Sequence, residues 1–184
     1  MMRRAAILLL VAPLALAGCG DRSLILTVDV LSFLDPSSVS QSYNVPGGVP
    51  STTMDLASES VNLLPGVSDV TEIATATLHV EASFDNTSGT ATGTLLLYIA
   101  SADSTDPFST APIASIPVSL TPGNVTTIST DVTSAELAAA LVQPSARVGV
   151  RLTFDSTATP PLQQVNGSET LTQIRATVIT KKNL

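Results

Sequence analysis

The chain has 184 residues, with 15 acidic side chains, eight basic ones, one cysteine and one histidine. Arg3 and Arg4 precede every acidic residue, so the chain from Cys19 onward has six basic and 15 acidic groups and a net charge of −9. Such a charge excludes a surface that binds the phosphates of nucleic acid. The 166 residues from Cys19 onward match the size of one domain.

The N-terminal segment has the three-part pattern of an export signal. Arg3 and Arg4 provide a positive start, residues 5–17 are an uncharged apolar run, and small residues lead to Cys19. A helix that spans a bilayer needs roughly 20 apolar residues, which is more than this run provides. We therefore expect a signal peptide over residues 1–18.

The motif Leu16-Ala17-Gly18-Cys19 resembles the lipobox of bacterial lipoprotein precursors. The resemblance implies cleavage between Gly18 and Cys19, acylation of Cys19 (palmitate among the acyl groups) and attachment to a membrane. An Asp directly after the modified cysteine commonly retains such proteins at the inner membrane. Here Gly20 occupies that position, so the resemblance favours the outer membrane. Residues 19–22 would then be a short tether and residues 23–184 the folded domain.

The composition of that domain is typical of β-structure, because it is rich in Thr, Val and Ser, and prolines divide it into short segments. Apolar and polar residues alternate most clearly over residues 73–84 and 147–154. Strands are expected over residues 23–33, 59–63, 73–84, 94–100, 113–120, 125–130, 147–154 and 169–180. We interpret residues 73–100 as one hairpin and residues 113–130 as a second.

The capping-box pattern Thr133-Ser134-Ala135-Glu136 and an apolar stripe predict one short helix near residues 134–142, which would link two sheets. No alternation of strands with long helices is visible. The predicted fold is therefore all-β: a single two-layer antiparallel sandwich, either immunoglobulin-like or jelly-roll-like.

Two sets of residues are candidates for binding or chemistry. His79 and Glu81 are two residues apart on the polar side of a strand, where a His-carboxylate pair could orient a nucleophile or take part in ligand binding. Tyr43 lies beside Pro46-Gly47-Gly48 and is the one ring expected to be exposed for a carbohydrate, since Phe33, Phe84 and Phe154 have core-like positions. An exposed pair without function is the alternative for His79.

Metal and cofactor chemistry has little support in the sequence. One histidine and one cysteine cannot supply a usual zinc set. Asp103 and Asp106 are weak calcium candidates that do not match an EF-hand loop, and an acidic surface without a metal is the alternative. No cofactor is expected. Asn86, Asn124 and Asn166 are interpreted as turn residues.

The sequence therefore predicts a lipid-anchored protein of the bacterial cell envelope, with a non-enzymatic structural or protein-interaction role and an envelope protein as its partner. The first alternative is a module that binds carbohydrate or calcium. The second is an envelope hydrolase, which requires a cleft around His79 and Glu81 with a hydroxyl within hydrogen-bond reach.

Overall fold

The alternating segments form nine β-strands in a computed structural model, which describes residues 22–62, 72–141 and 145–182. The strands are β1 (Arg22–Asp29), β2 (Ser40–Pro46), β3 (Thr52–Asn62), β4 (Glu72–Ser88), β5 (Ala91–Ser101), β6 (Ala114–Leu120), β7 (Asn124–Val132), β8 (Ser145–Asp155) and β9 (Gln164–Lys182). Two short α-helices occur among them, α1 (Pro36–Val39) and α2 (Ala135–Leu141).

The strands form two antiparallel sheets that pack face to face. Sheet A has the order β1-β9-β4-β7. β2 pairs with the first part of β9 and β1 with the last part, both along the same edge of β9. Sheet B has the order β3-β8-β5-β6. The predicted all-β sandwich is confirmed, and the strand order is that of a jelly roll in which β1 and β2 share one edge position, whereas an immunoglobulin domain has a different order.

The two predicted hairpins are wrong. β4 lies in sheet A and β5 in sheet B. Likewise, β7 lies in sheet A and β6 in sheet B. β5 and β6 are the only strands adjacent in the described chain that pair with each other. Alternation fixes which side of a strand is buried, but it does not identify the strand beside it.

The core lies between the sheets and consists of the apolar side of each strand. Along β4, Ala76, Leu78, Val80, Ala82 and Phe84 are buried, as the alternation predicts. Phe154 is also buried. The prediction that Phe33 belongs to the core is wrong: it is 46% exposed, because β1 ends at Asp29 and Phe33 lies in a 3-10 turn over residues 31–33.

Helix α2 confirms the helix predicted near residues 134–142 and connects β7 of sheet A to β8 of sheet B. The Ser134 hydroxyl accepts a hydrogen bond from the Leu137 amide at 2.9 Å, and the Leu137 side chain is buried. Helix α1 was not predicted; Asp35 caps it by accepting the Ser37 amide at 2.8 Å. No helix in the described part of the chain is long and apolar enough to cross a membrane.

Candidate functional site

His79 lies on the outer face of sheet A and is held between two carboxylates. Its Nδ1 is 2.7 Å from Oδ1 of Asp131 on β7, and its Nε2 is 3.1 Å from Oε1 of Glu81 on β4. The hydrogen bonds to Asp131 and then to Glu81 raise the pKa of His79 above its ordinary value. When the ring is protonated, both nitrogens donate to these carboxylates.

Both ring nitrogens of His79 are directed at carboxylate oxygens and not at a hydroxyl. An imidazolium that donates from both nitrogens has no free lone pair to accept a proton from a nucleophile. The nearby Ser129 hydroxyl donates to Glu81 at 3.4 Å. The structure brings His79 and Glu81 together as predicted, with Asp131 as a third member that sequence reasoning missed because it is 52 residues away.

His79 and Asp131 belong to a row of titratable side chains across sheet A, whereas Glu81 pairs with Gln173 and Ser129. Asp29 on β1 pairs in register with Arg175 on β9, which pairs with His79, which pairs with Asp131. Asp29 and Arg175 have opposite charges, as do Asp131 and protonated His79, and both pairs favour strand pairing, whereas Arg175 opposite protonated His79 disfavours it. This geometry is typical of a stabilising polar face.

The prediction that Tyr43 is an exposed ring is wrong. Tyr43 lies in β2, is 3% exposed and packs against Phe154 with ring centroids 5.1 Å apart. Its hydroxyl donates to Oδ1 of buried Asn86 at 3.2 Å, and burial, with a smaller contribution from the charge of Asp85, raises the pKa of Tyr43 to about 12. A side chain at position 167 would collide with this hydroxyl, so that Gly167 is required beneath it.

Asn86 is therefore a structural residue of the core, and not a turn residue as predicted. Its amide donates to the Gly89 carbonyl at 2.7 Å, at the point where β4 ends. Asn124 closes the predicted turn over residues 121–124 by donating its amide to the Thr121 carbonyl at 3.2 Å, and it begins β7. Asn166 lies within β9, so β4 and β9 extend further than the turn chemistry of Asn86 and Asn166 indicated.

The loops at the end of the sandwich opposite Arg22 are joined by two buried hydroxyl groups. We call the segments 47–51, 89–90 and 156–163 the distal loops. The Ser156 hydroxyl donates to the Pro46 carbonyl at 2.6 Å and accepts the Val49 amide at 3.2 Å. The Thr159 hydroxyl donates to the Thr90 carbonyl at 2.8 Å and accepts its amide at 2.7 Å. Both side chains are buried, so these bonds hold three segments in a fixed relation.

Leu162 occupies the tip of the distal loops. Its side chain is fully exposed, and its φ of 74° lies in the left-handed region. It is the only non-glycine residue with positive φ in the described chain. The amide of Gln163 closes the turn on the Pro160 carbonyl at 3.1 Å. A bulky residue in this conformation is disfavoured by about 1–2 kcal/mol, and strained residues of this kind cluster at functional positions.

The role of Leu162 was not predicted, although Pro160-Pro161 marks a loop. A leucine between two prolines and two glutamines does not by itself indicate exposure. The exposure of Leu162 follows from the placement of β8 and β9 in different sheets, because the connection between them then crosses the end of the sandwich.

Of the two predicted calcium ligands, Asp106 makes hydrogen bonds within its own loop and Asp103 is exposed. Oδ1 of Asp106 accepts the Phe108 amide at 2.9 Å and caps a 3-10 turn, and Asp103 is exposed nearby. No group of three or more His, Cys, Asp or Glu side chains within the described ranges is placed to hold a metal ion. The described geometry gives the calcium alternative no support.

Two recesses bear on the carbohydrate alternative. The larger has about 120 Å³ and is lined by polar groups of β5 and β8, including Thr92, Thr153 and Asp155. A recess of this size is below the roughly 300–1,000 Å³ of ordinary ligand pockets. The other has about 10 Å³ and lies in the apolar core. The half-buried Phe108 ring is covered by the Arg151 guanidinium, whose Cζ lies 4.0 Å from the ring centroid.

Glu169 is the most unusual titratable residue of the sandwich. It lies on β9, opposite Gln41 on β2 and Phe84 on β4, with its side chain 0% exposed. Neither of its carboxyl oxygens has a hydrogen-bond partner among the described residues, and the Gln41 amide donates to the Leu56 carbonyl instead. Burial raises the pKa of Glu169 to about 8, so that the group is neutral at pH 7.

Cys19 and Gly18, the predicted lipidation and cleavage residues, lie outside the described residues, as does Asp21 of the predicted tether. Arg22, the last residue of that tether, is the first residue of β1.

Comparison with known proteins supports the fold. No protein-family model matches the chain, and no curated protein matches it. Among solved structures, it is similar to the VP2 subviral particle of infectious bursal disease virus, with a TM-score of 0.53 and 11% identity over 89% of this chain and 38% of that chain.

Two further structures of the same virus agree with this similarity. The derived T=1 particle has a TM-score of 0.53 and 10% identity over 89% of this chain and 36% of that chain. The Gx strain has a TM-score of 0.52 and 12% identity over 88% and 38%. The chain thus spans less than two fifths of these three viral chains, and the similarity shows the sandwich fold alone.

Proposed function

We propose that this protein is a lipid-anchored component of the bacterial cell envelope with a non-enzymatic, protein-interaction role. Acylated Cys19 attaches it to a membrane, which we take to be the outer membrane, and the distal loops bind an envelope protein through Leu162. The observation that carries the proposal is the strained, fully exposed conformation of Leu162 on loops fixed by buried hydrogen bonds.

The position of Leu162 fits a tether at the other end of the sandwich. β9 begins two residues after Leu162 and ends beside β1, where Lys182 pairs with Arg22. The 19 residues of β9 extend roughly 60 Å at about 3.3 Å per residue. Cys19 precedes Arg22 by three residues, so an acyl group on Cys19 would attach near the end remote from Leu162.

The free energy that Leu162 would gain on burial in a partner is larger than the cost of its strained conformation. Replacement of Leu162 by glycine would relieve the φ strain, so the leucine persists at a cost in stability. Burial of its side chain in a partner would contribute about 1.5–3 kcal/mol. Because the loops are fixed before binding, little ordering entropy opposes association.

The test measures membrane attachment and partner capture separately. In cell fractionation, the natural chain should sediment with membranes and carry acyl groups on Cys19, whereas Cys19→Ser should be found in the soluble fraction. A natural chain found in the soluble fraction would contradict the anchor.

For partner capture, Leu162→Asn keeps a residue that tolerates positive φ and removes the apolar contact. We expect roughly 10- to 100-fold weaker retention of the co-purifying envelope protein, as the loss of one buried leucine predicts. The matched control is Ile25→Thr, which removes another exposed aliphatic side chain from the outer face of sheet A. Equal retention by both variants would refute the role of Leu162.

A further inference from the structure

The edge strands of the two sheets differ in how they are protected against pairing with another chain. Natural edge strands carry prolines, bulges, charges or interruptions that prevent such pairing. β6 contains Pro117, and β3 has a break in register between Asp55 and Ala57. β1 and β2 are separated by the 3-10 turn and α1, and β2 ends in Pro46.

β7 has no proline, bulge or interruption, and it has a single charged residue. All its residues, Asn124 to Val132, pair with β4 in unbroken register, and β7 ends the sheet within the described part of the chain. Its sequence contains no proline, glycine, lysine or arginine. The one charge, on Asp131, is paired with His79.

The inner side of β7 is also incompletely covered. Its side chains that face the core, Thr126, Ile128, Thr130 and Val132, are only half-buried. β6 is the corresponding edge strand of sheet B, and its side chains Ile116, Val118 and Leu120 are buried. The sandwich is therefore open along β7, and an added strand would cover apolar atoms as well as backbone groups.

We propose that β7 joins β7 of a second copy of this chain, antiparallel and centred on Ile128, to form one continuous sheet. This register pairs all nine residues of both strands. Ile128 stands opposite Ile128 of the second copy and Thr126 opposite Thr130, which are favourable cross-strand pairs. Asp131 stands opposite Val125, which is 63% exposed in the single chain.

Electrostatics and symmetry agree with this pairing. The two Asp131 carboxylates would lie six residue positions apart, about 20 Å, which exceeds the screening length at physiological salt. A two-fold axis normal to sheet A reverses the strand direction, so the two chain starts lie at opposite ends of the joined sheet. Two copies anchored in one bilayer therefore pair with the joined sheet lying along the membrane. The inference is carried by the open edge of β7 and not by the role of Leu162.

Cysteine crosslinking of the full chain in cells tests the pairing and its register. Ile128→Cys places two thiols opposite each other at the axis, within reach of a disulfide. We expect most of this variant to migrate as a covalent dimer under non-reducing conditions. The matched control is Val125→Cys, which is more exposed but would lie about 20 Å from its equivalent, and it should remain monomeric.

A second pair of substitutions tests the edge itself. Thr127→Lys with Ser129→Lys, introduced into the Ile128→Cys chain, places lysines opposite lysines and should reduce the crosslinked fraction at least tenfold. An equal yield from positions 125 and 128, or a yield unchanged by the lysines, would overturn the proposal. Addition of Cys19→Ser separates the two ideas: crosslinking that persists without membrane attachment supports the β7 pair alone.

Discussion

Glu169→Gln should change how the stability of the sandwich depends on pH. The folded protein holds the Glu169 pKa at about 8 by burial, against an ordinary value of 4.5 in the unfolded chain. A group whose pKa is raised by folding contributes stability that is complete below the lower value and is lost as pH rises through the higher one. The relevant window therefore runs from about pH 4.5 to about pH 8.

The magnitude follows from the proton that folding retains. Within this window the unfolded chain has lost the proton and the folded chain has not, so the free energy of unfolding falls by about 1.4 kcal/mol per pH unit. At pH 7 the loss is about 3 kcal/mol, a large part of an ordinary stability of roughly 5–15 kcal/mol. Glutamine has the same shape and no charge, so it removes this dependence.

The assay is urea unfolding from pH 4 to pH 9, followed by far-ultraviolet circular dichroism, because the chain has no tryptophan. The free energy of unfolding of Glu169→Gln minus that of the natural chain should rise by about 1.4 kcal/mol per pH unit and level off above pH 8. His79 titrates in both proteins, so its contribution cancels in this difference.

The control introduces Asp103→Asn, which removes an exposed loop carboxylate, into both proteins and should leave the difference between Glu169→Gln and its parent as it was. Parallel profiles for Glu169→Gln and the natural chain would refute the reasoning. A Glu169 carboxyl resonance that titrates near pH 4.5 in the folded protein would refute it as well.

Further substitutions test the distal loops, the charged face and the core. Leu162→Gly should raise the free energy of unfolding by roughly 1 kcal/mol, because it relieves the positive φ; a loss would contradict the strain. Thr159→Val leaves both backbone groups of Thr90 without their partner and should cost about 1–3 kcal/mol in urea unfolding. In His79→Gln, the stability lost relative to the natural chain should shrink as pH rises above about 6.5, since the His79 pKa is raised by folding. Phe84→Ala should cost about 3–5 kcal/mol by the same assay, and less than 1 kcal/mol would show that Phe84 is not a packed core residue.

The sequence predicts strand positions well where one side of the strand faces the core. β4 and β8 alternate throughout, and both lie where the alternation indicates. β2 was missed, because Pro46 and the glycines beside it indicate a loop, whereas Tyr43 and Val45 are buried on the core side. Short strands with turn residues nearby give too few alternating positions to be recognised.

Partners in the sandwich could not be predicted from local patterns. β4 pairs with β9 and β7, which are far from it in the chain, and consecutive strands mostly alternate between sheets. For the same reason the sequence paired His79 with Glu81 and not with Asp131. Glu169 was overlooked because a bulge at Thr172 places both Leu171 and Ile174 in the core, which obscures the alternation along β9.

Site-specific photo-crosslinking at position 162 of the full chain in living cells tests the proposed function most directly. A photoreactive residue there should capture one discrete envelope protein, the adduct should be found in the membrane fraction, and Cys19→Ser should release it from that fraction. The same residue at position 103 should not capture that protein. If position 162 yields no adduct, or the same adducts as position 103, the distal loops are not the binding surface and the account is wrong.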